Sequence, residues 1–444
     1  KDKLPKWVSF AKVRGSWAQV GNDTSPYYIN SGYSVATYQR GDKKIYGMTI
    51  PENMKSTNLK PERKNAWEVG LDWRFFDSRI GVDLTYYKEN TRNQIMTINV
   101  PWESGVKEKL INAGNIQNSG IEIALNTTPI KKKQWQWDLN FTYTRNRNKI
   151  VELSPDVTSY INLDGAANYG NYRIASVAKV GSDYGMLMSD SWIKTDEKTG
   201  KPVVGYTNKF RTVYYKRGGT VKEVGSMLPN FLGSLNSTLR WKDLSLYVLF
   251  DARFGGYVAS YNSRYATAYG FSGETEKYRK GMTWTSKYAN AQDKVFTDGF
   301  IPDVVFDAGT IVTTPGGTNQ DVSGMTYQEA YEKGYVEPAH LQSAAYFKNS
   351  WGTGVINDDW FKKINYIALR EITLSYNVPT KISSYIGAKN LSLSFTGRNL
   401  AYLLNTAPNH ENPESVRGTG AAQFRMRSFM PYTASYLFTL NATF

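Results

Sequence analysis

The chain has 444 residues, 14% of them aromatic, no cysteine and a mean hydropathy of −0.50. No apolar run approaches the roughly 18–20 residues that a membrane helix needs, which excludes a helical membrane protein but not a membrane β-barrel, whose strands average apolar and polar residues. The net charge of +15 is spread along the sequence with one short run, Lys131, Lys132 and Lys133, which argues for solvated surface rather than nucleic acid, and the lack of Cys removes disulfides, thiolate nucleophiles and Cys-type zinc sites.

The opening KDKLPKW is charged and lacks the apolar stretch of a secretory signal. A first strand is expected over 7–20. Trp67, Val69, Leu71, Trp73 and Phe75 then alternate with Glu68, Gly70, Asp72 and Arg74. After Asp77-Ser78, Ile80, Val82, Leu84 and Tyr86 alternate with Gly81, Asp83 and Thr85. Ile121, Ile123 and Leu125 continue the pattern, and Trp135, Trp137, Leu139, Phe141 and Tyr143 face away from Gln136, Asp138, Asn140, Thr142 and Thr144. Leu235, Leu239 and Trp241 lead through Lys242-Asp243 to Leu244, Leu246, Val248 and Phe250. Strands follow over 360–379, at Leu391, Leu393 and Phe395, and over 434–444. Period-two alternation of this length is a strand with one greasy face. Ten strands follow from it, and two more are expected between 171 and 216.

The connections sort by length. Asp77-Ser78, Lys242-Asp243 and 129–134 are short, whereas 21–62, 98–113, 150–229, 255–360 and 401–430 are long, and the two kinds alternate. A soluble sandwich has no reason to sort them so. A membrane barrel does, with short turns on the periplasmic side and long loops outside. Phe75, Trp135, Trp137 and Trp241 stand beside turns, as an interfacial girdle would. The expected fold is therefore all-β, an antiparallel transmembrane β-barrel with long extracellular loops. Its last strand, YLFTLNATF, would turn Tyr436, Phe438, Leu440 and Phe444 to lipid as the barrel-closing and assembly strand, its carboxy terminus in the periplasm. The alternative is a soluble all-β glycan-binding protein, and detergent dependence separates the two.

No catalytic constellation emerges. The two histidines, His340 and His410, lie in expected loops. Asp358 and Asp359 are neighbours, which on an extended chain point in opposite directions and make a poor acid–base pair. The Gly-rich RGGT and PGGT precede no helix with Lys-Ser/Thr, so neither is a phosphate loop. The chain is not expected to be an enzyme, nor to hold a metal or cofactor. Ligand capture remains: Trp351, Asp358, Trp360, Tyr402, Asn405, Asn409 and Asn412 flank the last two long loops. Aromatic faces stack on sugars, and amides or carboxylates take their hydroxyls. The plainer role for each is to solvate the rim.

NLKPERKNAWEVGLDWRFFDSRIGVDLTYY (58–87), NAGNIQNSGIEIALN (112–126), WDLNFTYTRNRNKIVEL (137–153), LPNFLGSLNSTLRWKDLSLYVLFDARFGG (228–256), WFKKINYIALREITLSYNVP (360–379) and LSLSFTGRNLAYL (391–403) stand in an order that resembles SusC-like TonB-dependent outer-membrane transporters of the Bacteroidetes type. Lys363 stands where Arg is usual in that family's pattern. The resemblance implies the carboxy-terminal ten to twelve strands of a 22-stranded barrel. Residues 1–444 would be one part of that barrel domain, with the signal peptide, TonB box, plug and first strands outside it. It further implies a SusD-like surface lipoprotein as lid, TonB as energy source, lipid around the barrel, and import of oligosaccharides or, in some members, peptides. It also allows a dimer of transporter–lipoprotein pairs.

Overall fold

The computed structural model describes residues 5–100, 102–155, 157, 160–164, 168–169, 172–190, 192–273, 276, 281–340, 361–416, 424–426 and 430–444. Ten long strands form one sheet: β1 (Val8–Asn22), β2 (Glu62–Phe75), β3 (Ile80–Arg92), β4 (Gly114–Lys131), β5 (Trp135–Leu153), β6 (Phe231–Trp241), β7 (Leu244–Ser260), β8 (Phe361–Val378), β9 (Asn390–Asn405) and β10 (Ser435–Thr443). Each pairs antiparallel with its neighbour in sequence, β10 with Asn390–Arg398 of β9, and β1 and β10 are the sheet's edges. Among the described residues only Arg425–Met426 adds a parallel bridge, at the end of β7. The ten strands are those that the alternation predicts. The strands that form between 171 and 216 sit in separate small sheets, outside this one.

Register explains why the alternation is so regular. One row of partners across the sheet reads Val13, Leu71, Leu84, Ile123, Tyr143, Gly233, Ala252, Ile367 and Leu404. The adjacent row reads Lys12, Asp72, Asp83, Ala124, Thr142, Ser234, Asp251, Ala368 and Tyr402. A one-residue slip of any strand would exchange its two faces, so the patterning pins the register. The apolar face is left bare: Trp17 is 71% exposed and Phe438 73%. The polar face is knitted by ion pairs, Arg14 with Asp83 and Glu68, Arg240 with Asp138 at 2.7 Å, and Arg398 with Glu371 at 2.8 Å.

All the tight connections lie at one end. Phe76, Asp77 and Ser78 take positive φ between β2 and β3, and Lys242 does so between β6 and β7. There Trp7 stacks on Phe75 and Trp135 on Trp241, both at 5.6 Å. The long connections leave from the other end, where β5 runs to 19 residues and β8 to 18. A barrel strand needs about 9–11 residues to span a bilayer, so these strands extend well past the apolar belt.

The long connections are themselves folded. Val203–Thr207 pairs with Thr212–Tyr215 and, in parallel, with Val305–Phe306. These bury Val204, Phe306, Val312 and Val322 around the fully buried Tyr327. A helix, Tyr327–Glu332, closes this module, and its first turn is fixed by a capping box between Thr326 and Glu329. Two connections far apart in sequence thus share one core, which no local periodicity announces.

Candidate functional site

The polar wall gathers its densest chemistry on β8, and a bulge puts it there. Against β7, Leu249 pairs with Glu371 and Phe250 with Leu369, so Arg370 has no partner. Against β9, Leu369 pairs with Ala401 and Glu371 with Arg398, and between them Asn399 adopts φ 51°, a left-handed conformation that Asn tolerates. An inserted residue re-aims a side chain. Here it brings two consecutive side chains to the polar face: Glu371 takes Arg398, and Arg370 reaches Asp251.

Arg370 is the hub. Its Nε and Nη2 donate to Asp251 Oδ2 at 3.1 and 2.8 Å. Its Nη1 and Nη2 also form a fork on Glu414, at 2.8 Å to Oε2 and 2.6 Å to Oε1. Bidentate guanidinium–carboxylate pairs are among the stronger hydrogen bonds and fix geometry as well as charge. Around them the Tyr366 hydroxyl donates to Glu414 Oε1 at 3.3 Å, and the Tyr402 hydroxyl lies 3.0 Å from Glu414 Oε2 and 3.1 Å from Asn412 Oδ1. Tyr432 packs on Tyr402 with ring centroids 4.5 Å apart, and Tyr366 meets Tyr402 edge-on at 5.6 Å.

Two carboxyls of the connection after β9 are driven in opposite directions. Burial alone would raise Glu414, but hydrogen bonds and charge from Arg370 outweigh it and leave Glu414 below the usual carboxylate range. Glu411 is buried with only neutral partners, Ser260 and Asn262, so burial raises it. One acid is therefore held ionised at the wall and the other is uncomfortable when ionised.

Among the expected ligand residues, Tyr402, Asn405 and Asn412 come together here. Asn405 uses its amide to hold the connection, donating to the Glu411 carbonyl at 2.9 Å and accepting from Ala407 N at 2.9 Å. Asn412 links to the Met430 carbonyl. Asn409 stands apart, exposed in the Pro408–His410 turn at φ 52°. Trp351, Asp358 and Trp360, with Asp359, lie outside the described residues. Tyr436, Phe438 and Leu440 lie on the bare apolar face, and Phe444 ends the chain with its carbonyl accepting from Lys389 Nζ at 3.1 Å.

Sequence reading missed Arg370, Asp251, Glu414, Tyr366 and Tyr432. The signal for Arg370 was there: apolar residues fall on Ile367 and Leu369, then on Ile372, Leu374 and Tyr376, a change of parity across Arg370 and Glu371. Glu414 carried no such mark. Among the described residues no group of three or more His, Asp or Glu side chains is placed to hold a metal. What the wall offers is a mixed-charge, phenol-rich and amide-rich surface, suited to hydrogen bonding and stacking.

Residues 3–184 match the family described as TonB dependent receptor-like, beta-barrel. The chain is 24% identical over 400 residues to TonB-dependent receptor P26 of Formosa agariphila, covering 88% of this chain and 35% of that protein. It is 28% identical over 207 residues to TonB-dependent receptor SusC of Bacteroides thetaiotaomicron, covering 44% of this chain and 20% of SusC. In three dimensions it is similar to a chain of the RagAB peptide transporter, with a TM-score of 0.66, 16% identity, and coverage of all of this chain and 42% of that one. The chain thus spans about a third or less of the curated relatives it matches.

Proposed function

We propose that the chain carries part of the β-barrel of a SusC-like TonB-dependent receptor and works in active import of nutrient ligands across the outer membrane. The observation that carries this reading is the division of labour in the ten-strand sheet. Its outward rows are apolar and bare, its inward rows are polar and ion-paired, and its long connections gather at one end. A water-soluble protein would leave that apolar face as an exposed patch far larger than soluble monomers carry. That face weighs against the soluble binding-protein reading.

In this proposal residues 1–444 form the carboxy-terminal part of one barrel, and the plug and the TonB contact belong to other parts of the receptor. The carboxy terminus lies in the periplasm, at the end of the tight turns. A SusD-like lipoprotein caps the long connections. The ligand is an oligosaccharide that meets Tyr402, Asn405 and Asn412 beside the Arg370 hub as it passes the wall, with Trp351, Asp358, Trp360 and Asn409 as further contacts. A peptide ligand is the second reading, favoured by the paired cation and carboxylates, which match a zwitterionic backbone, and by the fold likeness to a peptide transporter.

The test is uptake by cells that carry the full receptor, offered labelled oligosaccharides and peptides with and without a protonophore. Accumulation of one class that collapses with the protonophore is expected. Uptake of neither class, or uptake indifferent to the protonophore, overturns the proposal.

A further inference from the structure

The bases of this barrel wall are treated differently on its two faces. Inward, Arg14, Lys64, Arg240, Arg370 and Arg398 each have a carboxylate partner. Outward, the rows beyond the apolar belt place Lys88 beside Trp67 and Ser119, Arg147 beside Ser119, Lys149 beside Gln117, and Arg63 beside Arg92. Among the described residues none of these outward bases, nor Arg145, makes an ion pair. The outward positions of β2 to β5 hold no Asp or Glu until Glu152, past the register shift after Ile150. Arg63, Arg92, Arg147 and Lys149 are exposed.

At β5 this band meets two adjoining hollows. The upper is a cavity of about 830 Å³ whose walls include Arg145, Arg147 and Lys149, with Asp183 as its carboxylate. The lower is a mainly apolar cleft of about 420 Å³, walled by Phe141, Phe250 and Phe254 with Gly233 and Ala252 as floor and Ser234 at its side. Tyr143 and Phe231 line both. The floor exists because Tyr143, Gly233 and Ala252 share a row, and small side chains there leave room between the stacked Phe231 and Phe254, 4.8 Å apart, and their neighbours.

We infer that this is a binding site for one phosphorylated lipid of the outer leaflet, its acyl chain in the cleft and its phosphate on Arg145, Arg147 and Lys149. Three unpaired bases against one carboxylate suit an anion, and Arg matches phosphate as a fork. The apolar cleft directly below demands a tail on the same molecule, which separates a lipid from a free phosphate. Bases at the height of the headgroups attract anionic lipid. The inference rests on the outer-membrane reading above.

The test uses the full receptor in nanodiscs, with monophosphorylated lipid A, its dephosphorylated form and inorganic phosphate as probes, and counts retained lipid by native mass spectrometry. The phosphorylated lipid should be retained at least tenfold better than the dephosphorylated one. The triple substitution Arg145→Gln, Arg147→Gln, Lys149→Gln should abolish that difference, and Ala252→Phe should lower retention of both forms. Equal retention of the two lipids by the unaltered receptor overturns the inference whatever the variants do. So does full displacement of the lipid by inorganic phosphate, which would mark an ion site without a tail. A receptor that never enters nanodiscs would sink the membrane reading instead, a distinguishable failure.

Discussion

Arg370 and Glu414 meet in a two-bond fork, 2.8 and 2.6 Å, that ties the connection between β9 and β10 to the middle of β8. The pair is only partly shielded, with side-chain exposures of 18% and 41%, so its net worth is below that of a buried pair. Arg370 also holds Asp251. Replacing Arg370 by Gln strands two carboxylates, whereas Glu414→Gln removes one and leaves Arg370 its other partner. The expected losses are about 2 kcal/mol and about 1 kcal/mol. Both should appear as faster proteolysis within 406–434 of the folded receptor. A double variant that loses no less than the sum of the singles would show that the two residues act independently.

Acid should release the same connection. Glu414 is depressed in the fold, so the stability it lends is present above its ordinary value near 4.5 and is lost as pH falls through the lower folded value. Glu411 is raised by burial, so its ionisation costs stability as pH climbs from 4.5 through the higher folded value. Glu411→Gln should therefore tighten the connection at neutral pH and leave its behaviour in strong acid unchanged. Protease protection followed from pH 8 to pH 3 in both proteins measures this, and an unaltered neutral-pH rate in the variant would contradict it.

The folded module in the long connections should be acid-sensitive at a milder pH. His340 is 4% exposed, stacked on Phe296 at 5.0 Å, and burial lowers it below its ordinary 6.5, against the opposing pull of Asp298. A histidine kept neutral by burial favours the fold above 6.5 and opposes it as pH falls below that value. Amide protection factors around Phe296 and Phe300, corrected for the intrinsic exchange rate at each pH, should fall between pH 7 and pH 5. His340→Phe should flatten that dependence, and an unchanged profile in the variant would move its cause elsewhere.

The sheet was legible because every strand reports its own two faces. Trp135 to Tyr143 needs no knowledge of β6 to read as a strand, and register then follows from the need to keep Leu71, Leu84 and Ile123 on one side. The module around Tyr327 was illegible for the converse reason. Its core joins Val204 and Val213 to Phe306 and Val312, about a hundred residues apart, in strands of two to five residues too short to show a period. The candidate site fell between these cases. Tyr402, Asn405 and Asn412 were found through residue type beside a strand end. Asp251 and Glu414 carry no mark in the sequence, and the bulge that joins them through Arg370 shows there only as a change of parity after Leu369.

Neighbouring residues on β4 should give opposite outcomes, which tests the assignment of faces directly. Ile123 lies in the outward row between Leu84 and Tyr143. Ala124, next along the chain, lies in the inward row between Asp83 and Thr142. If the outward row meets hydrocarbon, Ile123→Arg costs about 2–4 kcal/mol near the bilayer midplane. Ala124→Arg instead presents a cation to a polar wall and to the carboxylate of Asp83, and should fall within about 1 kcal/mol of the unaltered protein. Reversible unfolding of the full receptor in lipid vesicles, followed by Trp fluorescence, gives both values. Equal costs would mean that the two faces see the same environment, which a barrel in a bilayer does not allow.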